Sequence, residues 1–205
     1  MPTAHDRTRR TTEAMERLKE RCGWCKGSEL YENYHDKEWG RPVRDERKMF
    51  EFLLLETFQA GLSWITVLKK RNAFRAVFHQ FEIAKVANMT EKEIKEALQN
   101  ASIIRHEAKI RAAITNAQCV LELHARGRTL VDFFWSYVDG TPVQNAWNDL
   151  SEIPAKTDLA FQLSKDLKAL GFKFIGPTVV YAHMQATGMV NDHLTTCPYY
   201  NAGMP

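Results

Sequence analysis

Residues 171–197 read GFKFIGPTVVYAHMQATGMVNDHLTTC, and their reading decides the fold. Before them, Leu159, Leu163, Leu167 and Leu170 recur at helical spacing, and Gly171 supplies the stop. Gly176 then stands at an N-cap with Pro177 in the first helical position, and Gly188 closes the second helix. The spacing predicts helices over 157–170 and 177–187, joined by a short aromatic loop. Glycines let a backbone approach a phosphate closely. The free N–H groups opening the second helix carry partial positive charge, and Lys173 adds a full one. This is how a helix-hairpin-helix holds a nucleic-acid backbone without reading sequence. An ordinary αα-hairpin with a glycine stop has the same pattern.

The stretch ends in His193 and Cys197, soft ligands at i and i+4 that one turn places side by side. A structural zinc takes four such ligands in a tetrahedron. Cys22 and His35, near the front of the chain, are the complementary pair, so one zinc would bring the two ends together. Asp36 and Asp192 adjoin the two histidines and are candidates to orient them. Cys22-Gly23-Trp24-Cys25 also has the spacing of a redox pair, but no strand signal precedes it. Cys25 could still replace one of the four ligands.

Working outward, Asp45 is a plausible N-cap, and Met49, Phe52, Leu53 and Glu56 follow on one helix face. Glu56 is the anomaly, a carboxylate on an apolar stripe. Ala60-Gly61 interrupts, and a second helix is expected from 62 or 63 toward Phe78. Thr90 to Glu93 has capping-box spacing. Ile110, Ile114, Ala117 and Leu121 mark a longer helix that Gly127 ends, and Phe133 to Tyr137 suggests a short core helix. Residues 22–44 lack clean periodicity and read as irregular with helical turns, and 139–156 as loop. No segment has a convincing period of two, so the fold class is all-α.

Trp24, Tyr31, Tyr34, Trp39 and Trp64 lie on both sides of Glu56 in sequence. Flat rings stack on bases, and a carboxylate accepts from an exocyclic amine or holds a cation. Alternatively the rings are core and Glu56 pairs with a lysine or arginine.

The 205 residues carry 28 basic and 25 acidic side chains, a formal net charge of +3. That balance alone does not argue for nucleic acid. Lys69, Lys70, Arg71 and Arg75 form one basic cluster, and Lys165, Lys168 and Lys173 another. An apolar fraction of 44% supports a full core, so the four cysteines are not needed as disulfide staples. Residues 1–20 read as a polar flexible tail without a signal peptide, and 201–205 as a short C-terminal tail. No run reaches transmembrane length, so the expectation is a cytoplasmic protein with reduced thiols that does not engage membranes.

Taken together, the runs RCGW at 21–24, YHDKEWG at 34–40, QAGLSWITVLKKR at 59–71, IIRHEAKI at 103–110 and GFKFIGPT at 171–178, with NDH at 191–193 and Cys197, resemble the 3-methyladenine DNA glycosylase I family of the helix-hairpin-helix superfamily. The resemblance implies a glycosylase domain over 21–200 with two helical lobes sharing a cleft. It implies one structural zinc at Cys22, His35, His193 and Cys197, and a base pocket of Trp24, Tyr31, Tyr34, Trp39, Glu56 and Trp64. It implies DNA contacts through Gly171, Lys173, Gly176 and Thr178, with Gly61 and Leu62 at a tip that fills the gap left by a flipped base. Phe58 stands where some relatives carry a polar residue, which would alter the pocket wall. The superfamily usually has a catalytic aspartate just after the hairpin, yet residues 177–190 contain none. That absence suits a cationic base, which is already a good leaving group. Glu56 is then expected to recognise and stabilise charge, leaving an abasic site in double-stranded alkylated DNA, with the protein acting as a monomer. No lysine is placed as a Schiff-base nucleophile. A DNA-binding module without activity and a zinc hydrolase are the other readings.

Overall fold

The structure, a computed structural model, describes residues 20–202. The tail expected over 1–20, apart from Glu20, and residues 203–205 of the C-terminal tail lie outside them. Helices dominate: α1 Glu29–Lys37, α2 Glu46–Gln59, α3 Trp64–Lys69, α4 Arg71–Val77, α5 Ile83–Ala87, α6 Glu91–Gln99, α7 Glu107–Ala125, α8 Leu130–Trp135, α9 Asp158–Ala169 and α10 Pro177–Ala186. None is long and apolar enough to cross a membrane.

The centre is α2. Asp45 caps it by accepting from Lys48 N–H at 2.8 Å. Met49 to Phe58 are all buried, so α2 is enclosed on every side rather than along one stripe. It packs on α10, α3, α7 and α8. Thr90 and Glu93 form the expected capping box for α6. The leucines at 163 and 167 of α9 are fully buried against α10.

Three segments differ from the sequence expectation. Residues 22–44 contain a nine-residue helix, α1. Its first turn carries Glu29 and Glu32 and its last His35 and Lys37, matching the helix dipole, while the mixed aromatics hide its period. The helix expected from 62 to 78 breaks at Lys70 (φ −99°, ψ 0°) into α3 and α4. The turn aims Phe74 into an aromatic cluster, 4.6 Å from the Phe58 ring and 6.1 Å from Phe78. Finally, β1 Val143–Gln144 pairs in parallel with β2 Val190–Asn191, a bridge too short to show a period of two.

The connection between α9 and α10 follows the expectation. Gly171 adopts φ +97°, and a Cβ there would lie 3.2 Å from Cys119 Sγ. Gly176 is the N-cap with Pro177 at the first helical position.

Candidate active site and metal centre

A cleft of about 400 Å³ opens between α1, the C-terminal end of α2, α3, α10 and the loop before α9. Tyr31, Tyr34 and Trp39 come from α1 and its exit, Trp24 from the short helical turn Gly23–Cys25, and Trp64 from the start of α3. The rings support each other edge to face, with Trp24 at 4.9 Å from both Tyr31 and Trp39, and Tyr34 lies 5.4 Å from Trp64. Trp64 Nε1–H is buried without an acceptor among the described residues. The sequence reading brought these five rings to one place; it missed Gln59, Leu150, Ile153, Pro154, Ala182 and Gln185, which also line the cleft. The last two come from α10, and the middle three lie in a segment with no pattern of its own.

Glu56 lies in the cleft and is 4% exposed. Burial raises its carboxyl to about 8, with no hydrogen bond or cation among the described residues opposing it. The alternative, a lysine or arginine paired with Glu56, is not what the described residues show: burial alone acts on its carboxyl, and the two arginines of the first basic cluster that turn inward go elsewhere. Arg71 donates to Glu51 at 2.7 Å and to Glu38 at 2.8 Å, and Arg75 donates to Glu51 at 2.8 Å. The first basic cluster is therefore partly a structural ion-pair network. Phe58 is fully buried against Phe74 and does not reach the cleft, so its side chain does not alter the pocket wall.

Next to the aromatic wall, Cys22, His35, His193 and Cys197 are all buried, with ligand atoms within 4.8 Å of one another. Cys197 Sγ lies 3.6 Å from both His35 Nε2 and His193 Nδ1, and Cys22 Sγ is 3.7 Å from His193 Nδ1. Bonds of ~2.3 Å to sulfur and ~2.05 Å to nitrogen at a tetrahedral angle give a sulfur–nitrogen edge of ~3.6 Å. The donor set thus fits zinc in both chemistry and spacing. The outward nitrogens fit too: His35 Nδ1–H donates to Asp36 at 2.8 Å, and His193 Nε2–H to the Trp39 carbonyl at 3.2 Å. Each hydrogen bond leaves the other ring nitrogen free to face the sulfurs. Asp36 is held in turn by Arg21, at 2.9 Å on each oxygen. Burial opposes its charge, but Arg21 and His35 win and lower its carboxyl to about 2.

Two expectations about this centre are corrected or resolved. Asp192 does not orient His193. Its carboxylate is fully buried and accepts from Asn145, Trp147 and Tyr181 at 2.7 Å and from Gln185 at 2.8 Å, because adjacent residues point to different sides of the chain. Cys25 is outside the four, its thiol donating to the Cys22 carbonyl at 3.1 Å. The four candidate ligands and the cleft share a wall: Trp39 is 4.7 Å from His193, and Trp24 is 5.3 Å from His35.

The remaining predicted residues lie on two protrusions. Gly61 (φ +85°) has nothing within 4 Å of a would-be Cβ, and Leu62 is 41% exposed. In the hairpin, Lys173 and Thr178 are exposed, and Gly176 makes no side-chain cap to the start of α10.

Residues 24–200 match the family model described as methyladenine glycosylase. The DNA-3-methyladenine glycosylase 1 of Escherichia coli (strain K12) is 50% identical over 186 residues, covering 91% of this chain and 100% of that protein. The DNA-3-methyladenine glycosylase of Haemophilus influenzae (strain ATCC 51907 / DSM 11121 / KW20 / Rd) is 49% identical over 178 residues, covering 87% and 96%. A crystal structure of 3-methyladenine DNA glycosylase I superposes with a TM-score of 0.85 at 50% identity, covering 87% of this chain and 98% of that one. The Staphylococcus aureus 3-methyladenine DNA glycosylase I, solved to explain its recognition of 3-methyladenine, superposes with a TM-score of 0.83 at 40% identity, covering 86% and 94%.

Proposed function

The chain belongs to the 3-methyladenine DNA glycosylase I family, and on that premise we propose that it flips alkylated bases out of duplex DNA and hydrolyses the glycosidic bond of 3-methyladenine. We read residues 21–200 as the glycosylase domain, its two helical lobes meeting at the cleft. The observation that carries the proposal is Glu56, a buried carboxyl with no partner among the described residues, facing a cleft walled by aromatic rings. Such a group is costly unless a guest completes it. A methylated, cationic purine does so twice, by charge and by stacking between rings.

Cationic methyladenine leaves its sugar readily, so the barrier falls when the enzyme holds the cation as the bond lengthens and water attacks the sugar. Glu56 stabilises charge and moves no proton. Trp24, Tyr31, Tyr34, Trp39 and Trp64 orient the base and exclude water. Gly61 and Leu62 occupy the space the base vacates. Gly171, Lys173, Gly176 and Thr178 hold the backbone through amides and one cation.

Cys22, His35, His193 and Cys197 would hold one zinc. Four protein donors leave no open position, so the ion would supply a cross-link rather than a Lewis acid. That also argues against a zinc hydrolase.

The test is release of free base from methylated duplex DNA, identified chromatographically. The expected result is 3-methyladenine from the parent and at least a tenfold lower rate from Glu56→Gln with an unchanged fold. Binding to abasic duplex with no base released would instead make the chain a DNA-binding module.

A further inference from the structure

The run IIRHEAKI at 103–110 reaches into α7, yet none of its residues lines the cleft. Two of its polar side chains, Lys109 and His106, touch the two protrusions instead. Lys109 is 6% exposed, and its ammonium donates to the carbonyls of Phe58 at 3.0 Å and Ala60 at 2.8 Å. These carbonyls end α2, where the helix has no further N–H of its own and its dipole is negative. Among the described residues no carboxylate accompanies this buried cation. The helix end keeps it in place, immediately before Gly61 and Leu62.

Two turns further, Asn116 is fully buried and clasps the hairpin. Its amide oxygen accepts Lys173 N–H at 2.7 Å, and its nitrogen donates to the Lys173 carbonyl at 3.2 Å. A side chain that satisfies both backbone groups of one residue fixes that residue's orientation. His106 caps α7 by accepting Lys109 N–H at 3.3 Å, and its ring stands edge-on to Phe174 of the hairpin at 6.1 Å. Seven residues separate Lys109 from Asn116, which places them on one face of α7, ~10.5 Å apart along its axis.

We propose that α7 is a spacer setting the separation between the 60–62 tip and the 171–176 hairpin, with Lys109 and Asn116 as positioning residues for duplex binding. The inference rests on the reading above that both protrusions touch DNA. Two contacts held rigidly at the right span make the second one intramolecular. A tip free to drift loses that gain, whereas a free base needs only the cleft.

The experiment compares the parent with Lys109→Met and His106→Ser; serine keeps a capping oxygen and removes the ring. Free 3-methyladenine affinity is read by tryptophan fluorescence, and affinity for duplex containing an abasic-site analogue by anisotropy. The expected result for Lys109→Met is a free-base Kd within twofold of the parent and a duplex Kd at least tenfold weaker. His106→Ser should weaken duplex binding about threefold with free-base binding intact. Duplex affinity within twofold of the parent in both variants, or parallel loss for both ligands, overturns the proposal. Should Lys109→Met fail to fold, His106→Ser decides by the same ratio. Neither measurement uses turnover, so base release by the parent tests the enzymatic reading separately.

Discussion

Glu56 carries the sharpest residue-level consequences. Its carboxyl sits at about 8 in the fold, against an ordinary value of 4.5. Between those values the folded chain holds a proton that the unfolded chain has released, so stability falls as pH rises through that window. A shift of this size corresponds to roughly 3–5 kcal/mol across the whole window. Glu56→Gln should remove that slope and raise the melting temperature at pH 8.5 above the parent's, measured by differential scanning calorimetry at several pH values. For catalysis the sign reverses. A cationic base favours the carboxylate, so kcat/KM should rise with pH and level off near about 8. The glutamine variant should lack that limb; a limb falling with pH would make the neutral acid the working form. Glu56 was legible in the sequence because a carboxylate on an apolar stripe needs a reason. Asp192 misled for a related cause: it neighbours His193 in the chain, but its side chain serves Asn145, Trp147, Tyr181 and Gln185.

At the scale of elements, the hairpin was legible because its glycines and proline act locally. Gly171 adopts φ +97° and its would-be Cβ meets Cys119 Sγ at 3.2 Å, so Gly171→Ala should cost roughly 1–3 kcal/mol by denaturant titration. Lys173→Ala tests the hairpin's charge without that strain. It should weaken duplex binding alike for all sequences and lower the slope of log K against log salt by about 1. A change confined to particular sequences would mean that Lys173 reads bases. The break between α3 and α4 was not legible, since Lys70 is neither glycine nor proline and the turn is set by where Phe74 must pack. The same holds for the far wall of the cleft. Leu150, Ile153 and Pro154 become pocket residues only through tertiary packing, which no local pattern in their own segment announces.

For the whole molecule, the four candidate metal ligands bring the two ends of the described chain together. Cys22 and His193 are 171 residues apart in sequence and 3.7 Å apart in space. Closing so long a loop removes about 5 kcal/mol of unfolded-state entropy if the metal constrains the chain as a covalent link does. The soft-ligand spacing made both halves legible, but their pairing depends on β1 and β2 and on Asn191, which donates to the Tyr200 carbonyl beyond Cys197. The tie also reaches the chemistry, because His193 and His35 support Trp39 and Trp24 from behind. Stripping the metal should therefore lower the melting temperature and weaken 3-methyladenine binding together, although no ligand residue lines the cleft. Cys197→Ser should reproduce both losses, since the hydroxyl is a poorer ligand than a thiolate. The decisive measurement is reconstitution with cadmium, which shares the preference for sulfur and nitrogen but acidifies bound water differently. A cross-linking ion predicts that cadmium restores stability, base affinity and base release to within about twofold of the zinc form. Restored stability with base release still at least tenfold down would instead place the metal in the reaction, and the closed set of four buried donors would have to open a position to allow it.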